Sequence, residues 1–401
     1  MDIPSSHRER NFQAQTLPGW CYNNAEYHEL ERQELMLGNW ILACHQNEVK
    51  APGDYHAVEA FGERALVIRD KEGSLRAFYN VCRHRAHALV TGEKGTCKGA
   101  LRCPYHGWTY GFDGQLKAVP AEKSFPGLER SEFGLQQIDL EVYLGFVFIR
   151  FRAGGAGVAE RFAPYHDEMK AYRTEEMECL GTGWHCDIPV NWKNLIDNYL
   201  EGYHVPVGHP GLYRLFGGNY VAEAKPTMVT RQIGSIVDRP SANWSERMYQ
   251  SILPRIDHLP ADRQRAWCYY NLLPSLAFDF YPETVGTFEV LPLGPARTIL
   301  RGRIYALPGM TREMKAARWL NRRINTDVQA EDEDLVASVQ QGLASGGYTF
   351  GLLSEKEVGL RQLHDLVRQV LPVTELDHPP APGSIAAANA EMCAGRATAR
   401  P

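Results

Sequence analysis

The sequence predicts an α+β chain of two domains, and three observations predict it. From Met36 to Phe151 the apolar residues fall in short runs rich in Val, Ile and Phe, separated by Gly and Asp turns, which reads as a small all-β domain. The stretch Arg152-Ala-Gly-Gly-Ala-Gly157 then interrupts the pattern as a flexible connection does. Beyond it, helical periodicity alternates with strand-like runs. The 401 residues allow two or three domains at roughly 150 residues each. The division that follows is a lead-in at 1–35, the β domain at 36–151, a mixed domain at 160–375, and a Pro- and Ala-rich tail at 376–401 that is expected to be disordered.

In the β domain, Trp40–Ala43, Ala65–Ile68 and Leu75–Phe78 are strand runs, with turns at Glu72-Gly73 and Asp113-Gly114. Val142 to Phe151 is the strongest strand signal. In the mixed domain, Trp192 to His204 reads as a helix, Phe278 to Leu307 as strands, and Met314 to Leu343 as a long helix or a helix pair. Ser354 with Glu357 three residues on is a capping box, followed by the apolar stripe Leu360, Leu363, Val367 and Val370.

Composition excludes several classes. The chain is 44% hydrophobic and 23% charged, which is globular rather than disordered or fibrous. A net charge of −5 opposes charge-driven binding to nucleic acid or an anionic membrane. The longest apolar run, Leu144 to Ile149, is far below the roughly 20 residues of a membrane span. Met1 to Gln15 is polar and has no signal-peptide core, so a cytoplasmic location is expected. Nine cysteines, an odd number, do not suggest a secreted disulfide framework; clustered cysteines then point to metal or catalysis.

Two pairs of residues form the first cluster. Cys82-Arg-His84 is followed, after 18 intervening residues, by Cys103-Pro-Tyr-His106. Each half offers one thiolate and one imidazole, a set that can hold zinc or an iron–sulfur cluster. Gly107-Trp108 trails the second half. Cys97 and His87 lie nearby but lack the ligand pattern and read as structural neighbours. The second cluster is Asn191 to His209. On a continuous helix Asp197, Glu201 and His204 would share one face. Pro206 and Gly208 would then turn the chain so that His209 converges with His204. Two His and one carboxylate form a non-haem iron site. The carboxylate candidates are Asp327, Glu331, Asp332, Glu333 and Asp334. Helical phase sets Asp332 with Val328, Leu335, Val336 and Val339 on an inward stripe, and Asp334 on a polar face, so Asp332 is the ligand expected.

The segment Cys82-Arg-His-Arg … Cys103-Pro-Tyr-His-Gly-Trp resembles the Rieske iron–sulfur motif, with Ala86 where that motif often has glycine. The Asn191–His209 segment resembles the catalytic motif of Rieske non-haem iron oxygenase α-subunits. The resemblance spans about residues 15–375. It implies a [2Fe–2S] cluster on Cys82, His84, Cys103 and His106, and a mononuclear Fe(II) on His204, His209 and Asp332. It implies an all-β Rieske domain and a helix-grip catalytic domain, in which a curved antiparallel sheet wraps the iron. It also implies a homotrimer in which Glu201 bridges to the Rieske histidine of a neighbouring subunit, with Asn198 lining the iron pocket. The chain has neither a dinucleotide fingerprint nor a four-cysteine ferredoxin motif, so electrons are expected from a separate NAD(P)H-dependent reductase, with O₂ as co-substrate.

Glu201 and its surroundings look most like the choline monooxygenase, carnitine oxygenase and betaine demethylase branch. That implies oxidation of an N-methyl group on a small quaternary ammonium compound. The aromatic group Trp267, Tyr269, Tyr270, Phe278, Phe280 and Tyr281 could supply a cation cage, although strand alternation turns half of these away. The alternative is a ring-hydroxylating dioxygenase or an O-demethylase acting on an aromatic acid, favoured if Arg297, Arg301 or Arg303 faces the pocket.

Overall fold

A computed structural model describes residues 14–398. The first domain is built from three small antiparallel sheets. Strands β2 (Asp54–Ala60), β3 (Glu63–Arg69), β4 (Leu75–Tyr79) and β5 (Lys94–Thr96) form one, in the order β4-β3-β2-β5. Strands β6 (Leu101–Arg102), β7 (Thr109–Tyr110) and β8 (Leu116–Ala118) form the second. The third pairs β1 (Ile41–His45) with β10 (Phe146–Arg150) and β10 with β9 (Asp139–Tyr143). The run Val142 to Phe151, expected as one strand, is therefore a hairpin. Leu144 and Gly145 take φ of 48° and 84°, the paired positive values of a tight two-residue turn. A Cβ at Gly145 would meet His45 Nε2 at 2.5 Å, so this position needs glycine twice over.

The second domain is dominated by one antiparallel sheet. Its order is β11 (Glu178–Cys179), β18 (Arg297–Ala306), β17 (Thr284–Gly294), β16 (Leu276–Tyr281), β15 (Ala266–Leu272), β14 (Val229–Ser235) and β13 (Tyr220–Lys225), with β12 (Trp184–Ile188) also paired to β18. Both faces of its middle strands are covered. On β16, Leu276, Phe278 and Phe280 enter a core shared with Phe146 and Phe148 of the first domain. The alternate residues face a cavity bounded by the Arg312–Leu343 helix.

Three further expectations are corrected. The helix starting at Trp192 ends at Tyr199, not at His204. Glu201 turns its carboxylate onto the N–H groups of Tyr203 and His204, which competes with helical bonding, and Gly202 admits the Tyr220 ring where a Cβ would lie 2.3 Å from it. The next helix begins at Val358, not at Ser354. Glu357 accepts the Ser354 N–H at 2.5 Å, but the Ser354 hydroxyl accepts from Lys356 instead, which makes a turn rather than a cap.

The C-terminal tail is not disordered over its length, because Ile385–Thr398 is a helix. Its alanines are strong helix formers, and Glu26 accepts the Gly383 and Ile385 N–H groups at 2.8 and 2.7 Å. Of the lead-in, residues 1–13 lie outside the described residues, and the rest is packed. Tyr22 and Tyr27 are buried, and the Ala25–Glu31 helix sits against the second domain.

A buried ion pair anchors that segment. Lys193 Nζ donates to Glu31 Oε1 at 2.7 Å and to the Cys21 carbonyl at 3.0 Å, among the rings of Tyr22, Tyr27 and Trp192. Trp192 Nε1 donates to the other Glu31 oxygen at 3.1 Å. Burial alone pushes the Glu31 carboxyl up, and Lys193 opposes this. Substituting Lys193→Met leaves a buried carboxylate without its counterion and is expected to cost about 3–5 kcal/mol. In urea titrations the K193M/E31L double variant should recover part of that loss; a single variant as stable as the parent would show the pair to be dispensable.

Candidate functional site

The first donor set sits on two loops of one design. Ala86 N–H donates to the Cys82 carbonyl at 2.9 Å, and Gly107 N–H donates to the Cys103 carbonyl at 3.0 Å. Each loop closes on a left-handed residue, Ala86 at φ 58° and Gly107 at φ 72°. Cys82 and Cys103 are buried at the base, whereas His106 is exposed and His84 half-buried at the rim. The two imidazole rings are 4.6 Å apart, and His84 stacks on Trp108 at 5.0 Å. Tyr110 closes the inner side, its hydroxyl 3.3 Å from Cys82 Sγ and accepting the Arg83 N–H at 3.1 Å.

The chemistry of the donors fits a cluster. Among the described residues, His204, His209 and Asp332 form the one group of three donor atoms within 4.8 Å of one another. Cys82, His84, Cys103 and His106 offer two thiolates and two imidazoles, the ligand set of a [2Fe–2S] cluster with the cysteines on one iron and the histidines on the other. His84 Nδ1 is buried without a hydrogen-bond partner, as a nitrogen reserved for a metal would be. Cys97 and His87 stay outside the set: Cys97 pairs its N–H with Gly53, and His87 Nδ1 meets the Ala88 carbonyl.

The second set converges from two distant parts of the chain. His204 precedes the short Val205–Gly208 helix, and His209 sits between that helix and Pro210–Phe216. Asp332 comes from the Arg312–Leu343 helix, with Oδ1 3.0 Å from His209 Nε2 and 4.0 Å from His204 Nε2. That oxygen is buried without a hydrogen bond, so the three atoms aim at a common point rather than at one another. Each imidazole is turned by a carboxylate on its other nitrogen. Glu201 Oε1 takes His204 Nδ1, and Glu331 Oε2 takes His209 Nδ1 at 2.8 Å. With Nδ1 donating, both Nε2 atoms are left as lone-pair donors.

Asp334 is exposed, as its helical phase implies. The apolar stripe invoked for Asp332 is incomplete, since Val336 is buried but Leu335 and Val339 are exposed; Asp332 is placed by facing the histidines, not by a continuous core. Glu331 stood only among the ligand candidates and is found as the partner of His209. Its position next to Asp332 was the available signal.

The triad opens onto a cavity of about 660 Å³ that Asn198 and Glu201 also line. Of the aromatic group read from the sequence, Tyr269 and Tyr281 face the cavity, while Tyr270, Phe278 and Phe280 lie in the opposite core and Trp267 is buried behind. Tyr199, Tyr220, Phe288 and Trp184 join the cavity wall and were not foreseen. They come from separate elements, so no local pattern marks them. Of the three arginines, Arg303 lines the cavity, as the aromatic-acid alternative required, but it is engaged with Glu93 and His56; Arg297 pairs with Asp187 and Arg301 with Glu289.

The two loops differ in one residue type at the left-handed position, and that difference is testable. Gly107→Ala should lower thermal stability by about 1–2 kcal/mol, the cost of a Cβ in that conformation. Ala86→Gly should leave the protein as stable or raise its melting temperature, and a fall with Ala86→Gly would show that the φ of this loop carries no strain.

Comparison with known proteins agrees with both halves. Residues 39–138 match the family described as the Rieske [2Fe-2S] domain, and residues 179–372 match the ring hydroxylating alpha subunit (catalytic domain). The chain is 34% identical over 210 residues to the carnitine monooxygenase oxygenase subunit of Escherichia coli strain K12, covering 52% of this chain and 56% of that one. It thus spans about half the length of the carnitine monooxygenase relatives that it matches. It is 28% identical over 365 residues to the chloroplastic choline monooxygenase of Beta vulgaris, covering 89% of this chain and 77% of that one. A solved quaternary ammonium Rieske monooxygenase, described for carnitine oxidation and inter-subunit electron transfer, superimposes with a TM-score of 0.76 at 26% identity over 90% of this chain and 96% of that one. The family of the two matched domains uses a [2Fe–2S] cluster and a mononuclear iron. With both domains matched in order, and a donor set of the right chemistry in each, the chain belongs to the Rieske non-haem iron oxygenase α-subunits.

Proposed function

We propose that this chain is the oxygenase component of a multi-component system that uses O₂ and reducing equivalents from a separate NAD(P)H-dependent reductase to oxidise an N-methyl group of a small quaternary ammonium compound. One observation carries the reading: the His204–His209–Asp332 triad opens onto a cavity walled by Tyr199, Tyr220, Tyr269 and Tyr281. Ring faces attract a permanent cation that can donate no hydrogen bond. The likeness to carnitine and choline monooxygenases supports the same substrate class. The aromatic-acid alternative has one of its expected arginines on the cavity wall, but that residue, Arg303, is already engaged by Glu93 and His56, and Arg297 and Arg301 hold other carboxylates of the protein.

The residue roles follow from position. Cys82 and Cys103 would hold one iron of the cluster and His84 and His106 the other, while His204, His209 and Asp332 would hold the mononuclear iron. When bound, the cluster supplies single electrons, and the mononuclear iron supplies the site of O₂ activation. His106 and His84 keep the electron-delivering edge near the surface, and Tyr105 beside them is 52% exposed. That edge suits docking against a neighbouring copy, so a homotrimer with Glu201 on the path between cluster and iron is part of the proposal. Glu201 fixes His204 from Nδ1, Glu331 fixes His209, and Asn198 shapes the cavity beside them. The tyrosine wall excludes water and orients the cation so that one methyl faces the triad. Hydroxylation of that methyl gives a hemiaminal that releases formaldehyde. No helix among the described residues is long and apolar enough to cross a membrane. All nine cysteines are free of disulfides, which fits a reducing, cytoplasmic setting.

A substrate panel with a surrogate reductase tests the activity, read as NADH-coupled oxygen uptake, formaldehyde and product mass. Coupled turnover is expected on an N-methylated cation. Turnover of benzoates or phthalates, with none on any N-methylated cation, would replace this reading with the aromatic one. Asp332→Ala is expected to lose the mononuclear iron while the visible cluster spectrum persists, and Asp334→Ala to keep both. Metal analysis giving the reverse pattern would move the ligand to Asp334.

A further inference from the structure

The cavity contains a carboxylate that the site described above does not use. Strand β16 reads Leu276-Ala-Phe-Asp-Phe-Tyr281, and Asp279 interrupts an otherwise apolar run in the middle of the sheet. Its side chain shares the cavity face with Tyr281, opposite to Phe278 and Phe280. Two phenols reach it: Tyr199 O–H donates to Oδ1, and Tyr281 O–H lies 3.4 Å from Oδ2. The rings of Tyr199, Tyr269 and Tyr281 stand edge to face around it, with centroids 6.1 and 6.3 Å apart, and Tyr220 lies 6.4 Å from Tyr269.

No lysine, arginine or histidine among the described residues forms an ion pair with Asp279, whereas the buried carboxylates Glu31, Glu246 and Glu289 each have one; buried Glu283, held by the Tyr249 hydroxyl, is the other carboxylate without one, but it is not on the cavity wall. Burial pushes the Asp279 carboxyl up to about 6, and the two phenol donors only moderate this. At neutral pH the cavity therefore contains an ionised group with neutral donors and no counterion, a costly arrangement unless a ligand completes it. The Tyr220 phenol, raised first by burial, is raised further by Glu201, Asp279 and Asp332, which sets it within electrostatic reach of both the iron ligands and Asp279.

We propose that Asp279 is the specificity-determining countercharge of this cavity: it pairs with the quaternary ammonium head of the substrate, held between the Tyr199, Tyr220, Tyr269 and Tyr281 rings, and it rejects anionic ring substrates. This rests on the reading of the chain as an oxidiser of N-methylated cations and adds where the cation sits. Ring faces alone attract a cation but tolerate a neutral isostere of the same shape. A carboxylate behind the rings separates the two, since it gains with the cation and stays desolvated beside the neutral form. Two guanidiniums line the cavity, that of Arg303, which is paired with Glu93 and His56, and that of Arg322, which is exposed; neither pairs with Asp279.

The test uses the holoenzyme with tetramethylammonium and choline as cationic probes and 3,3-dimethyl-1-butanol as the neutral isostere of choline, with affinities from calorimetry. Asp279→Asn keeps the shape and the Tyr199 acceptor, and the visible cluster spectrum reports its folding. The variant is expected to lose roughly tenfold or more in affinity for both cations while binding the alcohol as well as the parent or better. Asp279→Glu should restore part of the cation affinity. The parent protein provides a second reading that needs no variant. Its affinity for the cations should fall as pH drops through about 6, where Asp279 takes up a proton, while affinity for the alcohol stays level. The groups facing Asp279, Tyr199 from its helix, Tyr220 and Tyr269 from β13 and β15, and Tyr281 from its own strand, are phenols raised by burial and do not titrate there.

Equal cation affinity in Asp279→Asn and parent, or an equal loss for cation and alcohol, would overturn the role of Asp279 and leave the substrate class standing. Absence of cation binding to the parent itself would overturn both.

Discussion

The geometry of the candidate iron site rests on two imidazoles that are each held by a carboxylate at Nδ1. Glu201 on His204 Nδ1 and Glu331 on His209 Nδ1 fix both rings so that each Nε2 faces Asp332. A free imidazole rotates and exchanges tautomers; a carboxylate on one nitrogen settles both at once and makes the other a better ligand. The same bond explains the local backbone. Because Glu201 also takes the N–H groups of Tyr203 and His204, the preceding helix stops, and the chain is freed to bring His209 round to the same point.

That arrangement requires a rigid floor, and the long antiparallel sheet supplies it. One face of β15 and β16 packs with Phe146 and Phe148 of the β domain, and the other opens onto the cavity, so any shift of the sheet would disturb both domains. Beside this apolar packing the seam between domains has a polar part. Arg303 reaches the Ala43 carbonyl at 3.4 Å and His56 Nε2 at 3.2 Å, and pairs with Glu93. Glu289 joins Arg301 at 2.9 Å and the Leu42 N–H at 3.2 Å. Burial and Arg303 hold His56 at about 3, so this seam keeps one charge state across the physiological range. Arginines that a sequence reader would assign to substrate are thus spent on joining the domain of the cluster loops to the domain of the triad.

The two chain ends reinforce this frame. The Ala25–Glu31 helix brings Glu31 to Lys193 at the start of the helix that leads into the site, and Glu26 caps the C-terminal helix. Tyr22 O–H donates to Asp197 at 2.6 Å, and His364 Nε2 lies 3.1 Å from the same carboxylate. Asp197, which an unbroken helix would have set on the face of Glu201 and His204, is instead held by the frame, and this is why it takes no part in the triad.

The sequence by itself determined the donor chemistry. Cys82, His84, Cys103 and His106 lie within short loops, where local spacing dictates geometry, and His204 and His209 are close enough for a proline and a glycine to set their turn. Asp332 was legible because helical phase is a local property, although the stripe used to argue it is half exposed. The tail at 376–401 was misread because composition reports neither the helix propensity of alanine in place nor a cap supplied by Glu26, some 360 residues away. Only the tertiary structure decided which aromatics line the cavity and what the arginines hold. Tyr199, Tyr220, Tyr269 and Tyr281 come from a helix and three strands, and Asp279 gains its meaning from rings that are distant in the chain. Strand alternation says that a residue faces one side or the other; which side is the cavity depends on what covers each face, and that is set by packing between domains.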